Sequence, residues 1–313
     1  MTRPQILLDC DPGIDDAFAL MCAFKYADVA AITTVSGNVG IDKTTRNARY
    51  LVGLADLEIP VHRGAASPLE VDRHAADEIH GASGLGNISV GEPPVPESST
   101  PAIDAIFEHC SEAGTGENVV VATGPLTNIA LALQRDPTLA QRISHLYWMG
   151  GSTTVGNVTA RAEFNAWADP HAVDETMRSG IPLTMFGLNL THQVRLGPDS
   201  IDQLGNDDSD TAKIFADLLG YYHEHGAQDP AGQPVHDTCA VLGFTHPELF
   251  STVESNIVAH ITNDDRRGMT ETSTPTDTAG VHHVAETADA PAVIELVMAA
   301  ARDPRPATRG AAS

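Results

Sequence analysis

Lysine is nearly missing from this chain, with Lys25, Lys43 and Lys213 the only three. Counting arginine, 18 basic side chains face 42 acidic ones, for a net charge of −24. That balance repels a phosphate backbone, so nucleic acid is not an expected partner. Cysteine is equally sparse. Cys10, Cys22, Cys110 and Cys239 lie far apart with no CxxC pair. Neither a disulfide framework nor a zinc site is expected, only reduced and partly buried thiols. No run of about 18 consecutive apolar residues occurs, so no membrane span is expected. The first residues also lack the basic region, apolar core and cleavage site of a signal peptide, which makes the expected location cytoplasmic.

What the chain does contain is enough apolar sequence for a large core, 42% of 313 residues. The segments Gln5–Asp9, Val29–Val35, Asn118–Ala122, His145–Met149 and Leu183–Phe186 read as buried strands. Between them, Asp15–Lys25, Lys43–Ala55, Pro101–Ala113, Leu126–Arg135 and Pro170–Arg178 read as amphipathic helices. This alternation predicts an α/β fold with an open, mostly parallel sheet flanked by helices. In such sheets the ligand sits at the C-terminal ends of the strands. Residues 63–97 and 225–235 read as long loops of the kind that carry binding groups. Residues 1–302 are expected to form one domain, and 303–313 a frayed tail.

The most informative segment is Asp9-Cys10-Asp11-Pro12-Gly13-Ile14-Asp15-Asp16. An apolar strand runs into Asp9 and Asp11, whose spacing places both side chains on one face. Pro12 holds Asp11 extended and Gly13 permits a tight turn. Asp15 and Asp16 then open a helix, where carboxylates suit the positive end of the dipole. Capping accounts for one or two acids but not for four at the end of a buried strand, because their repulsion needs a cation or shared protons. An all-oxygen donor set points to calcium or magnesium rather than zinc. An aspartyl-phosphate phosphatase fits poorly, since Gly13 stands where that class has Thr or Val and lysine is scarce.

With Ala17 added, this segment resembles the N-terminal signature of the inosine–uridine-preferring nucleoside hydrolases. Further matching motifs follow in order. They are Thr33-Thr34-Val35-Ser36-Gly37-Asn38, Ile79-His80-Gly81, Thr123-Gly124-Pro125-Leu126-Thr127-Asn128 and Met149-Gly150-Gly151. Beyond these come Gly156-Asn157, Ala162-Glu163-Phe164-Asn165, Asp169-Pro170, Val235-His236-Asp237 and Gly268-Met269-Thr270. The resemblance implies a Rossmann-like hydrolase that cleaves the N-glycosidic bond of ribonucleosides. It implies one calcium ion held by Asp11, Asp16, the Thr123 carbonyl and Asp237. Asp15, Asn157, Glu163 and Asn165 would grip the ribose hydroxyls, with Asn38 nearby and Met149 packed against the sugar. Asp11 would be the general base on a water held by the ion. His236 would protonate or hydrogen-bond the leaving base, and His80 would contact it from a loop.

Purine-specific relatives stack the base between tryptophans, whereas this chain has only Trp148 and Trp167, and His80 stands where one such tryptophan is expected. The inosine–uridine type is therefore the expected one. Pyrimidine-favouring relatives add a Tyr and an Arg after the tyrosine pair. Here Tyr221-Tyr222 is followed by His223-Glu224-His225-Gly226 with no arginine before His236, leaving His225 or Gln228 to substitute. A ribosyl phosphorylase would need an anion nest that this acidic cluster opposes. A nucleoside-binding protein without catalysis would be expected to have lost Asp11 or a metal ligand. The family's habit of forming homodimers or homotetramers implies self-association.

Overall fold

The computed structural model describes residues 5–111, 118–226, 229–275 and 282–306. Nine strands form the main sheet: β1 (Gln5–Cys10), β2 (Asp28–Thr34), β3 (Val61–Arg63), β4 (Val119–Ala122), β5 (His145–Met149), β6 (Leu183–Phe186), and, after the short pair β7 (Arg195–Leu196) and β8 (Gln233–Pro234), β9 (Phe250–Ala259), β10 (Thr270–Ser273) and β11 (His282–Ala288). Their order across the sheet is β10-β9-β11-β6-β5-β4-β1-β2-β3. From β11 to β3 every pairing is parallel, and only β9 runs against its neighbours.

The parallel centre follows from its composition. Ile6, Leu7, Leu8, Val120 and Val121 have no exposed surface, as strands covered on both faces require. Alternate residues feed separate cores: Ile6, Leu8 and Val121 join one, Leu7, Val120 and Ala122 the other. The helix Ile14–Tyr26 is buried from Ile14 through Phe24, which explains why it is apolar nearly all round.

Five expected strands and five expected helices are present, with shifted ends in most cases. The expected helix Pro101–Ala113 runs only from Ala102 to His109, and Ala113 lies outside the described residues. The loop 63–97 contains a short helix, Asp77–His80. In the loop 225–235, Gln233 and Pro234 pair with Arg195 and Leu196, while Gln228 lies outside the described residues. At the start of the expected tail the Asp303 carbonyl accepts a hydrogen bond from Lys25 at 2.8 Å; residues 307–313 lie outside the described residues. Helices Pro198–Gly205, Asp210–His225 and Ala290–Arg302 were not expected, nor were β9 to β11. Among the described residues, no helix is long and apolar enough to cross a membrane.

The site is positioned by the order of the strands. From β1 the chain crosses to β2 on one side, while β4 lies on the other. This reversal opens a crevice beyond the C-terminal end of β1, where ligands of open α/β sheets bind. The helix His236–Thr245 closes one side by packing on Phe186, with Gly243 in contact. A Cβ at Gly243 would meet the Phe186 ring at 2.1 Å, and that ring is wedged against Phe250 at 5.7 Å between centroids. Gly243→Ala is expected to lower stability by about 1–3 kcal/mol, read as a lower urea midpoint. Adding Phe186→Leu should recover part of the loss; equal losses with and without Phe186→Leu would show that this contact is not the cause.

Candidate active site

Asp11 follows β1 and is enclosed completely. Two glycines permit that enclosure: a Cβ at Gly37 would lie 2.0 Å from Asp11 Oδ2, and one at Gly124 would lie 2.6 Å from Oδ1. The Asn38 backbone N–H donates to Asp11 Oδ2 at 2.7 Å. The Asn38 side-chain amide donates to the Asp11 carbonyl at 3.2 Å and to Asp16 Oδ2 at 3.0 Å. One residue therefore fixes both aspartates. Asp16 also accepts from the Gly13 N–H at 2.9 Å and from the Thr123 hydroxyl at 2.8 Å.

Carboxylate oxygens of Asp15, Asp16 and Asp237 lie within 4.8 Å of one another. Asp11 stands beside this trio rather than in it, although it was expected as a ligand and Asp15 as a ribose contact. Its charge is felt within the trio all the same, because burial and then Asp16 raise the Asp11 carboxyl well above its ordinary range. Burial, followed by Asp15, Asp16, Asp11 and Glu163, raises Asp237 in the same direction. Burial lifts Asp15 to about 6, and burial with the neighbouring Asp15 lifts Asp16 to about 6. Asp11 Oδ1 and Asp15 Oδ1 are buried without a hydrogen-bond partner. Buried acceptor oxygens that repel one another suit a hard divalent cation. The Thr123 carbonyl already accepts from the Asn165 amide at 2.7 Å, and its second lone pair remains for an ion.

Above the carboxylates lies a cavity of about 890 Å³. Asp15, Asn38, His80, Thr123, Met149, Asn157, Glu163, Asn165, His236 and Asp237 all line it, so only Asp11 and Asp16 of the expected residues sit beneath it. Glu163 is a buried helix cap rather than a surface acid. It accepts from the N–H groups of Asn165, Gly151 and Ala166 at 2.9, 2.8 and 3.1 Å, and burial lifts its carboxyl to about 7 against those bonds. Asn165 also donates to the Met149 carbonyl at 3.1 Å, tying the ends of β4 and β5 together. Asn157 is exposed on the loop after β5.

The other end of the cavity is a wall of imidazoles and a phenol. His80 Nδ1 accepts the Ile14 N–H at 3.1 Å, so its neutral ring carries the proton on Nε2. It stacks on Tyr222 with centroids 6.1 Å apart. His236 Nδ1 lies 2.7 Å from the Thr191 hydroxyl. Burial, then His192, Arg195 and His80, depress its pKa to about 3, so the ring is neutral near pH 7. Sequence reasoning missed Thr191, His192 and Gln233. Thr191 and His192 lie beyond the end of β6, which is the one cue the sequence offers for them. Gln233 had no motif to mark it. His225, considered as a base contact, instead stacks on Tyr221 at 3.9 Å and does not line the cavity.

A mostly parallel α/β sheet carrying a buried carboxylate cage at the floor of a cavity defines a Rossmann-like protein whose site is suited to a divalent cation. The model of the inosine-uridine preferring nucleoside hydrolase family matches residues 6–295, and the chain belongs to that family, whose members are N-ribohydrolases. It is similar to the pyrimidine-specific ribonucleoside hydrolase RihA of Photobacterium profundum, at 38% identity over 276 residues, covering 86% of this chain and 88% of the relative. The enzyme of the same name from Escherichia coli O7:K1 is 37% identical over 271 residues, covering 85% and 87%. Among solved structures, a plant nucleoside hydrolase superposes with a TM-score of 0.89 at 31% identity, covering 96% of this chain and 99% of that one. A purine-preferring ribonucleoside hydrolase from Gardnerella vaginalis superposes with a TM-score of 0.90 at 30% identity, covering 96% and 98%.

The raised carboxyls predict how stability depends on pH. A carboxyl whose folded pKa exceeds its unfolded value supports the fold fully at low pH and withdraws that support as pH rises through the folded value. With Asp15 and Asp16 at about 6 and Glu163 at about 7, chelator-treated protein should lose thermal stability between about pH 4 and 7. Added calcium should reverse the loss at the upper end, by about 2.7 kcal/mol at a hundredfold excess over Kd. Thermal unfolding at pH 5 and 7.5, each with chelator or calcium, checks this. Equal stability at both pH values in chelator would overturn it.

Proposed function

We propose that the chain hydrolyses the N-glycosidic bond of pyrimidine ribonucleosides in a calcium-dependent reaction, with residues 1–302 acting as one catalytic domain in a self-associating protein. The observation that carries this is the cage itself, four buried aspartates, two of them with an orphaned oxygen, at the floor of a nucleoside-sized cavity. Asp11, Asp16, Asp237 and the Thr123 carbonyl would hold the ion, with Asp15 at its edge. Calcium there would orient water and two ribose hydroxyls and lower the water's pKa.

The chain's own residues do the rest. Asp11, held by the Asn38 N–H on Oδ2, keeps Oδ1 to take a proton from the attacking water. Asn165 has committed its NH₂ to backbone carbonyls, so its amide oxygen accepts from a ribose hydroxyl. Asp15, Glu163 and Asn157 complete that grip, and the carboxylates stabilise the oxocarbenium character that develops on the ring. His80 donates Nε2–H to the departing base, and neutral His236 hydrogen-bonds it. Among the described residues Trp167 alone of the tryptophans lines the cavity, short of the pair that would sandwich a base, which, with the pyrimidine-specific relatives, favours uracil and cytosine over a stacked purine.

Release of free base from uridine, cytidine, inosine and adenosine, in phosphate-free buffer with calcium or chelator, tests this reading. Uridine and cytidine should lead, and chelation should abolish turnover. Asp11→Asn should lower kcat by about 10²–10⁴-fold with KM little changed. Turnover that survives chelation, or a purine leading the series, would overturn the corresponding part.

A further inference from the structure

The proposed chemistry uses the carboxylate floor and the imidazoles, yet the same cavity has further lining residues that this chemistry leaves unused. Among them are Phe164, Trp167, Val158, Ala75 and His74. These residues form a built wall. Trp167 meets His74 edge-to-face at 4.7 Å. Arg267 stacks its guanidinium over the Trp167 ring at 4.1 Å and donates to the Trp167 carbonyl at 2.9 Å. Arg267 does not line the cavity; it backs the wall and holds the indole in place. Val158 is 41% exposed, a large apolar side chain at the rim with no covering partner among the described residues.

Which part of the substrate reaches this wall follows from ribose stereochemistry and rests on the proposed hydrolysis. The ring oxygen of ribose is flanked by C1′, which bears the base, and C4′, which bears C5′. With the C2′ and C3′ hydroxyls on the carboxylates and the base toward His80 and His236, C5′ points the other way. Glu163 caps the helix that carries Phe164 and Trp167, so a C5′ that leaves the ribose grip past Glu163 meets that helix and the His74 ring packed on it. Charge then selects the substituent. Among the described residues no lysine or arginine lines the cavity, whereas Glu78, Glu163, Asp15 and Asp237 do, which disfavours a 5′-phosphate.

We propose that this wall is a binding subsite for uncharged, apolar 5′-substituents, and that the enzyme accepts 5′-deoxy nucleosides extended by an alkylthio or similar group. The hydrolysed bond is unchanged, with water adding to C1′ and the base leaving. Apolar surface and polarisable sulfur both suit an indole wall.

The test compares 5′-methylthio-5′-deoxyuridine with 5′-deoxyuridine, which isolates the extension from the loss of the 5′-hydroxyl, and with uridine 5′-phosphate. Uridine serves as the control for the parent reaction. The methylthio compound should exceed 5′-deoxyuridine in kcat/KM by about tenfold, the scale of an apolar group filling an apolar pocket. Trp167→Ala should collapse that ratio toward unity, and His74→Ala should reduce it. His74 is exposed, so its variant remains informative if loss of Trp167 unsettles Arg267. Calorimetric Kd values for the same pair read the subsite without turnover. If uridine is not hydrolysed but the methylthio ligand binds about tenfold tighter in a Trp167-dependent way, the subsite stands and the hydrolysis reading fails. A ratio near one in the unsubstituted enzyme, a ratio unmoved by both variants, or preference for the 5′-phosphate would overturn the subsite.

Discussion

Mutual repulsion among buried carboxylates is the constraint on which the rest of this structure depends. Asp15, Asp16 and Asp237 crowd within 4.8 Å, Asp11 adds its charge from beside them, and among the described residues no lysine or arginine lines the cavity. A folded chain tolerates this in two ways: by keeping protons on the acids, or by binding a cation that replaces them. Burial and mutual repulsion raise the pKa of every member, which favours the first in the protein alone. The orphaned oxygens of Asp11 and Asp15 show what a cation would satisfy.

Much of the surrounding architecture serves to hold these acids where they would not settle unaided. Asn38 clamps Asp11 and Asp16 with its backbone and side chain together. Gly37 and Gly124 let the chain close on either side of Asp11. Asp9 belongs to this support as well. Its Oδ1 accepts from the Thr33 hydroxyl at 2.6 Å and the Asn128 amide at 2.7 Å, while Asn128 accepts the Ala65 N–H at 2.9 Å. The first aspartate of the signature thus joins β1 to the loop that follows β3, and it does not line the cavity. A pair of acids at i and i+2 on one strand face divides into one that braces and one positioned for chemistry.

The central strands and their helices were legible because parallel pairing makes continuous apolar runs, and Leu183–Phe186 needed no adjustment. The site was legible because its residues cluster in short motifs at strand ends. What escaped was specified by tertiary contact. β9 carries exposed residues from Ser251 to Glu254 and so lacks a buried strand's signature. The helix Asp210–His225 is buried on only one side, a pattern blurred by its neighbouring loops. Thr191 and His192 belong to no motif, and nothing in their spacing announces that Thr191 faces His236. The different standing of Asp11 and Asp15 around the trio is also a matter of side-chain direction, which the eight-residue acidic signature leaves open.

The same charge that constrains the fold also bears on the choice of nucleophile. Cleaving an N-ribosyl bond by phosphorolysis would bring a polyanion onto a floor of aspartates, past Glu78 and Glu163, with no lysine or arginine among the described residues along the cavity to receive it. Water carries no such penalty, and a cation in the proposed cage draws it inward. An inorganic phosphate and a 5′-phosphate are disfavoured by one and the same field. An acidic cage suited to a cation would thus also filter what can enter, favouring the neutral nucleosides and the neutral nucleophile of the proposed reaction.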